Sequence, residues 1–301
     1  MKFKGGVIIN KPSTFSIVAR DPDTGELGIA VQSKFLAVGA VVPWAEAEVG
    51  AVATQSAANT TYGPQGLELI KRGKEPESVI EKLIQADEES EIRQVGMVDA
   101  SGKSAAFTGA ECIEYAGHNS EENFTCQGNI LVSEETITSM THKFRATEGN
   151  HLSERLISAL KAADKAGGDK RGKQSAALLI VEKEEGYGGF NDRKIDLRVD
   201  DNPEPIDKLG DLLSLHQLYF SQPSDEDLVE LDREVVKKIQ LLLNKLGYYS
   251  GPETGNYDER TSEAFLDYCR TENFEEKLRD DGKLDFRIVE FMEDQVRKNS
   301  G

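Results

Sequence analysis

The hydrophobic pattern of this chain changes period near residue 200, and that change constrains its folding more than any other feature. Before it, short β-branched runs alternate between Gly, Asp and Asn turns, with pairs of helical stretches set among them. Beyond it, apolar residues recur only every three or four positions. The junction, Asp200-Asp-Asn-Pro-Glu-Pro205, holds two prolines, three acids and no apolar side chain. Such a segment can neither sustain a ladder nor bury a face, so it reads as a linker. At 301 residues the chain is about twice an ordinary domain length. Two domains follow, 14–205 and 206–301, with residues 1–13 as an N-terminal extension.

In the first domain, residues 14–20 and 27–33 flank Asp21-Pro-Asp-Thr-Gly25 turn chemistry and predict a hairpin. Residues 38–42 and 49–54 predict two further strands, and 94–99 with 103–108 a second hairpin. The polar stretch 119–123 reads as a loop. Helical spacing covers 63–72 and 76–86, then 134–146 and 152–166, the last stopped by Gly167-Gly168. The apolar run 175–182 and residues 194–199 complete the strands. Strands in two runs, each followed by a helix pair, predict an α/β fold of one kind: a four-layer α-β-β-α sandwich. Past the linker, 208–220, 235–246, a segment with Asp258 as N-cap and a last stretch carrying Phe286, Val289, Met292 and Val296 predict a small all-α bundle.

The formal charge is −18, and 22 acidic against 13 basic residues from Ile206 onward place half of it in the second domain. Neither half carries a basic stripe, so nucleic acid and anionic membranes are not expected partners. No stretch approaches the ~20 apolar residues of a membrane span, and the start has only a three-residue apolar run, Val7-Ile8-Ile9. A secretory h-region needs about 7–15. Cys112, Cys126 and Cys269 are odd in number and widely spaced, which reads as buried free thiols in a reducing compartment. A cytoplasmic protein is the expectation.

Five places set polar and small residues where strands meet turns: Thr14 with Ser16, Gln32-Ser33-Lys34, Thr54-Gln55-Ser56 with Asn59, Gly128-Asn129, and the glycine-rich run 167–175. Taken singly, such residues are usually satisfied by caps and turns, and composition alone makes none of these places a site. His118, His142, His151 and His216 lack metal-ligand spacing, so neither metal nor other cofactor is expected. Trp44, in Val-Pro-Trp-Ala, reads as core or interface.

A resemblance links these places. Thr14-Phe-Ser-Ile-Val-Ala-Arg-Asp-Pro-Asp-Thr-Gly-Glu26, Ala30-Val-Gln-Ser-Lys-Phe-Leu-Ala-Val-Gly-Ala-Val-Val-Pro-Trp44, Gly50-Ala-Val-Ala-Thr-Gln-Ser56 and Tyr62-Gly-Pro-Gln-Gly66 resemble domain-of-unknown-function family 1028. So do Gln127-Gly-Asn-Ile-Leu131, Gly167-Gly-Asp-Lys-Arg-Gly-Lys-Gln-Ser-Ala-Ala-Leu-Leu179 and Val199-Asp-Asp201. The ordered match covers about 14–213. That family is grouped with the N-terminal-nucleophile (Ntn) hydrolases, which implies the α-β-β-α sandwich and hydrolysis of an amide bond in a small polar substrate.

The implied nucleophile is Thr14, activated by its own α-amine. Ser33 and Lys34 are implied to tune that amine, Gln55, Ser56 and Asn129 to hold the oxyanion, and Asn59, Asp169, Arg171 and Gln174 to bind substrate. Thirteen residues precede Thr14, and while Ser13 is attached its nitrogen is an amide and no base. Two further readings stand beside this one: a non-catalytic ligand-binding or scaffold protein with Thr14 blocked, and a protein acting through its second domain. There, Val235-Val-Lys-Lys-Ile-Gln-Leu-Leu-Leu-Asn-Lys-Leu-Gly-Tyr-Tyr-Ser-Gly251 and Thr254-Gly-Asn-Tyr-Asp-Glu-Arg-Thr-Ser-Glu-Ala-Phe265 resemble a three-helix peptidoglycan-binding module. A peptidoglycan fragment or a protein partner is implied for it, and a homodimer is compatible with the apolar helices.

Overall fold

Thr14–Arg20 (β1) and Leu27–Ser33 (β2) form the expected hairpin, with Thr14 opposite Ser33 and Arg20 opposite Leu27. The computed structural model describes residues 14–299, so the predicted extension 1–13 lies outside the described residues. Next come strands β3 (Pro43–Glu46) and β4 (Gly50–Ser56), then helices α1 (Tyr62–Lys71) and α2 (Pro76–Gln85). Strands β5 (Arg93–Asp99), β6 (Ser104–Thr108), β7 (Gly117–Glu121) and β8 (Phe124–Asn129) follow. Helices α3 (Glu135–Ala146) and α4 (Leu152–Lys165) and strands β9 (Ser175–Val181) and β10 (Arg193–Val199) complete a mixed α/β domain.

The strands form two antiparallel sheets, one ordered β10-β9-β2-β1-β8-β7 and the other β3-β4-β5-β6. Helices α3 and α4 pack on the first, burying Phe15, Ile17, Leu156, Leu160 and Leu178. Helices α1 and α2 pack on the second through Tyr62, Leu67, Val79 and Leu83, against Val52, Val95 and Met97. The remaining sheet faces meet each other at Val18, Ile29, Val31, Ala51, Ala53 and Val98. Each fully buried Leu, Ile or Phe contributes about 1.5–3 kcal/mol. This is why β2 and β9 carry apolar side chains toward both layers.

Two predicted elements differ. Residues 38–42, expected as a strand, begin with a 3-10 turn at Val38–Ala40. Ala37 has φ 55°, the Val38 N–H donates to Ser175 Oγ at 3.1 Å, and the Ala37 N–H donates to Asp200 O at 3.0 Å. Val38 and Val42 are buried all the same; their hydrophobicity reported burial, and tertiary contacts chose the turn. The polar stretch 119–123, expected as a loop, is the tip of the β7–β8 hairpin, with Glu121 opposite Phe124. Edge strand β7 is polar, alternating between half-buried and exposed positions. It therefore lacks the apolar run by which a strand is read.

The chain divides into two compact units between Leu213 and Ser214, within helix α5 (Pro205–Phe220) and beyond the predicted linker. Pro205 is the first residue of that helix, where its missing N–H leaves no bond unmade. Ile206, Leu209 and Leu213 join the core under α3 and α4.

The second unit contains β11 (Leu228–Glu230), α6 (Arg233–Leu246), α7 (Glu259–Thr271), β12 (Lys283–Asp285) and α8 (Phe286–Asn299). The β11–β12 ribbon corrects the all-α expectation; strands of three residues are too short for alternation to register. Ile239, Leu243, Phe265, Tyr268, Ile288 and Met292 fill the core. The predicted helix boundaries hold: Gly247 (φ 86°) ends α6, and Asp258 caps the start of α7, accepting the Thr261 N–H at 2.9 Å. Buried Gln240 pins the next turn, donating to Thr261 Oγ1 at 2.9 Å and accepting the Gly255 N–H at 2.9 Å.

Candidate functional site

Alternation along a buried strand sends its side chains into two different layers. On β1, Phe15, Ile17 and Ala19 enter the helix-covered core, which turns Thr14, Ser16 and Val18 toward the facing sheet. The same alternation on β8 presents Thr125, Gln127 and Asn129, while β4 presents Gln55 and β5 presents Gln94. The layer between the sheets is therefore polar where β1 and β8 face β4 and β5.

These groups form one network. Ser16 Oγ donates to Gln55 Oε1 at 2.6 Å and accepts from Gln127 Nε2 at 2.7 Å. Gln94 Oε1 accepts from Gln55 Nε2 at 2.8 Å and from Asn129 Nδ2 at 2.9 Å. Gln94 Nε2 donates to Gly128 O at 2.8 Å and to Thr108 Oγ1 at 2.9 Å. Thr108 Oγ1 lies 2.8 Å from His118 Nδ1, which carries the network to the surface. At its inner edge Thr14 Oγ1 lies 3.1 Å from Ser33 Oγ, and Thr14 O accepts from Gln55 Nε2 at 3.4 Å. Thr14, Ser16, Ser33, Gln55, Gln94, Gln127 and Asn129 are fully buried. Leaving one buried amide unpaired costs about 1–3 kcal/mol, so the network is stable only as a unit.

Ser56 (φ 66°) and Ile130 (φ 52°) take left-handed backbone directly after Gln55 and Asn129. Such conformations cost about 1–3 kcal/mol each and cluster at functional sites. Gln94 and Gln127 were not singled out in the sequence as site residues. The signal was there: a glutamine at an inward position of β5, and Thr125, Gln127 and Asn129 alternating along β8.

The other predicted residues fall into two groups. Asp169 is buried and holds the glycine-rich turn, accepting the Lys34 N–H at 2.8 Å and the Arg171 N–H at 2.8 Å. The Lys34 ammonium donates to Lys173 O at 3.1 Å, and Arg171 Nε lies 3.8 Å from Asp169 Oδ1. Gln174 gives its N–H to Ser33 O at 3.1 Å and its side-chain amide to Asp201 at 3.0 Å. These residues brace the end of β2 that carries Ser33.

Asn59 belongs elsewhere. Its Nδ2 donates to Asp87 Oδ2 at 3.0 Å, which also accepts from Tyr62 Oη and Arg93 Nε at 3.0 Å each. Burial alone would raise the Asp87 carboxyl, but hydrogen bonds from Arg93, Asn59, the Glu89 N–H and Tyr62 hold it down at about 2. A depressed carboxyl stabilises the fold fully above its unfolded value near 3.9, and that stability is lost as pH falls through about 2. With the Asp87 side chain 12% exposed, the term is about 2 kcal/mol. We predict that urea midpoints of the wild type fall between pH 4 and 2 more steeply than those of Asp87→Asn. Parallel curves for the two proteins would refute the assignment.

Among the described residues no group of three or more His, Cys, Asp or Glu side chains is placed to hold a metal ion. No helix there is long and apolar enough to cross a membrane. Cys112, Cys126 and Cys269 are buried and form no disulfide.

A mixed α/β domain with a buried amide network between two sheets, followed by a small helical unit, is the class this fold defines. The chain belongs to the family of unknown function DUF1028, whose model matches residues 14–209. Residues 219–292 match a model described as "Putative peptidoglycan binding domain". The chain is similar to a DUF1028 protein of solved structure, SPO2555 from Silicibacter pomeroyi. The two are 30% identical with a TM-score of 0.63, over 70% of this chain and 94% of that one. No curated protein gives a significant match.

Proposed function

We propose that the first domain is an amide-bond hydrolase of the N-terminal-nucleophile type, acting on a small polar substrate once the amine of Thr14 is exposed. The observation that carries this reading is the position of Thr14. It begins β1 with its hydroxyl 3.1 Å from Ser33 Oγ, beside the amides of Gln55 and Asn129. The succession of helix pair, sheet, sheet and helix pair supports the four-layer α-β-β-α sandwich that such hydrolases use.

A free α-amine has a pKa near 8 and takes the hydroxyl proton as Thr14 Oγ1 attacks the substrate carbonyl. Amide donors from Gln55, the backbone at Ser56 and Asn129 hold the oxyanion. Collapse returns the proton to the leaving amine, and water then hydrolyses the acyl-threonine ester. Ser33 orients the hydroxyl. Asp169, Arg171 and Gln174 shape the adjoining loop, and Lys34 supplies positive charge beside it. None of this runs while Ser13 is joined to Thr14. Intact-mass analysis of protein made from the full reading frame tests the reading. A chain beginning at Thr14 supports it, and full amide hydrolysis by a chain retaining residues 1–13 overturns it.

One observation favours a non-catalytic ligand-binding or scaffold role: Thr14 and Ser33 are completely buried. The match over 219–292 separately favours a peptidoglycan fragment as ligand of the second unit. Titrating purified muropeptides into the full chain tests this, and no saturable binding removes it.

A further inference from the structure

We propose that the end of the first domain away from Thr14 carries a binding site, centred on Arg155, for a small molecule presenting a carboxylate or phosphate group. A cavity of about 380 Å³ opens there between the β1–β2 turn, the β7–β8 turn and the α3–α4 connection. Arg155 lines it, with its side chain only 9% exposed. Its guanidinium stacks on the Phe144 ring, 4.1 Å from the centroid. Among the described residues its side chain makes one long hydrogen bond, from Nη2 to Phe144 O at 3.4 Å, and Nε has no partner.

The contrast with Arg93 is informative. That buried arginine donates to Asp87, Ala57 O and Glu89 at 3.0, 2.6 and 2.9 Å. Five N–H donors in a planar fork match the oxygens of a carboxylate or phosphate. At Arg155 that fork is largely unused.

The neighbouring acids do not complete it. Asp21 Oδ2 lies 3.8 Å from Arg155 Nη1, beyond hydrogen-bond range, and Asp21 Oδ1 accepts the N–H groups of Asp23 and Thr24 at 2.9 and 3.3 Å. Glu26 is paired with Lys194 at 2.7 Å. Asp23, Glu122 and Glu148 are exposed at the rim, where salt screens them over about 8 Å. Burial lowers the Arg155 pKa from its ordinary value and outweighs the opposing pull of Asp21 and Glu148.

Two more features favour an anion. Arg20 lines the cavity, and among the described residues its guanidinium makes one 3.4 Å bond, to Asn123 Oδ1, and leaves Nε unpartnered. Helix α4 begins at the cavity without a side-chain cap from His151, and its N-terminus carries partial positive charge.

Thr14 and Arg20 stand at opposite ends of β1, about 20 Å apart at ~3.3 Å per residue. The site is therefore separate from the proposed nucleophile and does not rest on it. Its test is calorimetric titration of the full chain with sodium phosphate and with sodium succinate, each against sodium chloride at matched ionic strength.

Saturable binding of either anion, with a Kd below about 1 mM, is expected for the wild type, and the two arms assign phosphate or carboxylate. Arg155→Met, which keeps the stem on Phe144, is expected to weaken that binding at least tenfold. In wild-type protein the Arg155 Nε–Hε NMR resonance should shift with the same saturation curve, a readout that needs no variant. No binding beyond chloride, a folded Arg155→Met with unchanged Kd, or an unmoved Arg155 resonance each overturns the site.

Discussion

Gly96→Ala is expected to lower the stability of the first domain by about 2–4 kcal/mol, although it adds one methyl group. A Cβ at Gly96 would lie 2.1 Å from Gln127 Oε1 and 2.9 Å from Thr125 Cγ2, inside the layer between the sheets. Overpacking alone costs about 1–3 kcal/mol. Gln127 can retreat only by loosening its bonds to Ser16 at 2.7 Å and Thr125 at 3.1 Å, which adds the cost of an unpaired amide.

Gly66→Ala is the control. Its Cβ would meet Met97, Val52 and Leu83 at 3.6–3.8 Å, ordinary contact within helix α1. There alanine should be neutral or stabilising by up to about 1 kcal/mol. Urea denaturation reads both variants. On a Gln127→Ala background the cost of Gly96→Ala should shrink, because the clash partner is gone. Equal costs on the two backgrounds would show that Gln127 is not what Gly96 accommodates.

In protein engineered to begin at Thr14, Thr14→Ala is expected to reduce amide hydrolysis by at least about 10³-fold. Thr14→Ser keeps the hydroxyl and should retain much of the rate. Asn129→Ala, which removes one oxyanion donor, should cost about 10²–10³ in kcat. The rate should rise with pH through the α-amine pKa near 8, since only the neutral amine accepts the proton. A screen of short N-acyl amides supplies the assay. Turnover that survives Thr14→Ala undiminished would remove the nucleophile from Thr14 and leave the binding role as the better reading.

Much of the scaffold was legible in the residues. The β1–β2 hairpin announces itself through Asp21-Pro-Asp-Thr-Gly25 between two β-branched runs, and Gly247 and Asp258 mark real helix boundaries. Strand β7 was illegible because an exposed edge needs no apolar alternation. The β11–β12 ribbon was illegible because three residues are too few to set a period. At the candidate site, Thr14, Ser33, Gln55 and Asn129 lie side by side. Asn59 does not join them; a single carboxylate, Asp87, draws it into another cluster.

Hydrophobic periodicity by itself determined that a layered α/β unit is followed by a mainly helical one, because burial on one or both faces leaves a trace in every element. It could not determine where the units divide. Pro205 reads as a break in sequence yet starts a helix, since the first turn has no use for its missing N–H. Nor could it say which polar residues meet. Ser16 and Gln127, 111 positions apart, meet through β1–β8 pairing and Gln55 and Gln94 through β4–β5 pairing, and the stacking of the two sheets then brings Ser16 Oγ within 2.6 Å of Gln55 Oε1. Local propensity carries no information about that stacking. It arises from burying both sheet faces at once, and it decides the surroundings in which Thr14 sits.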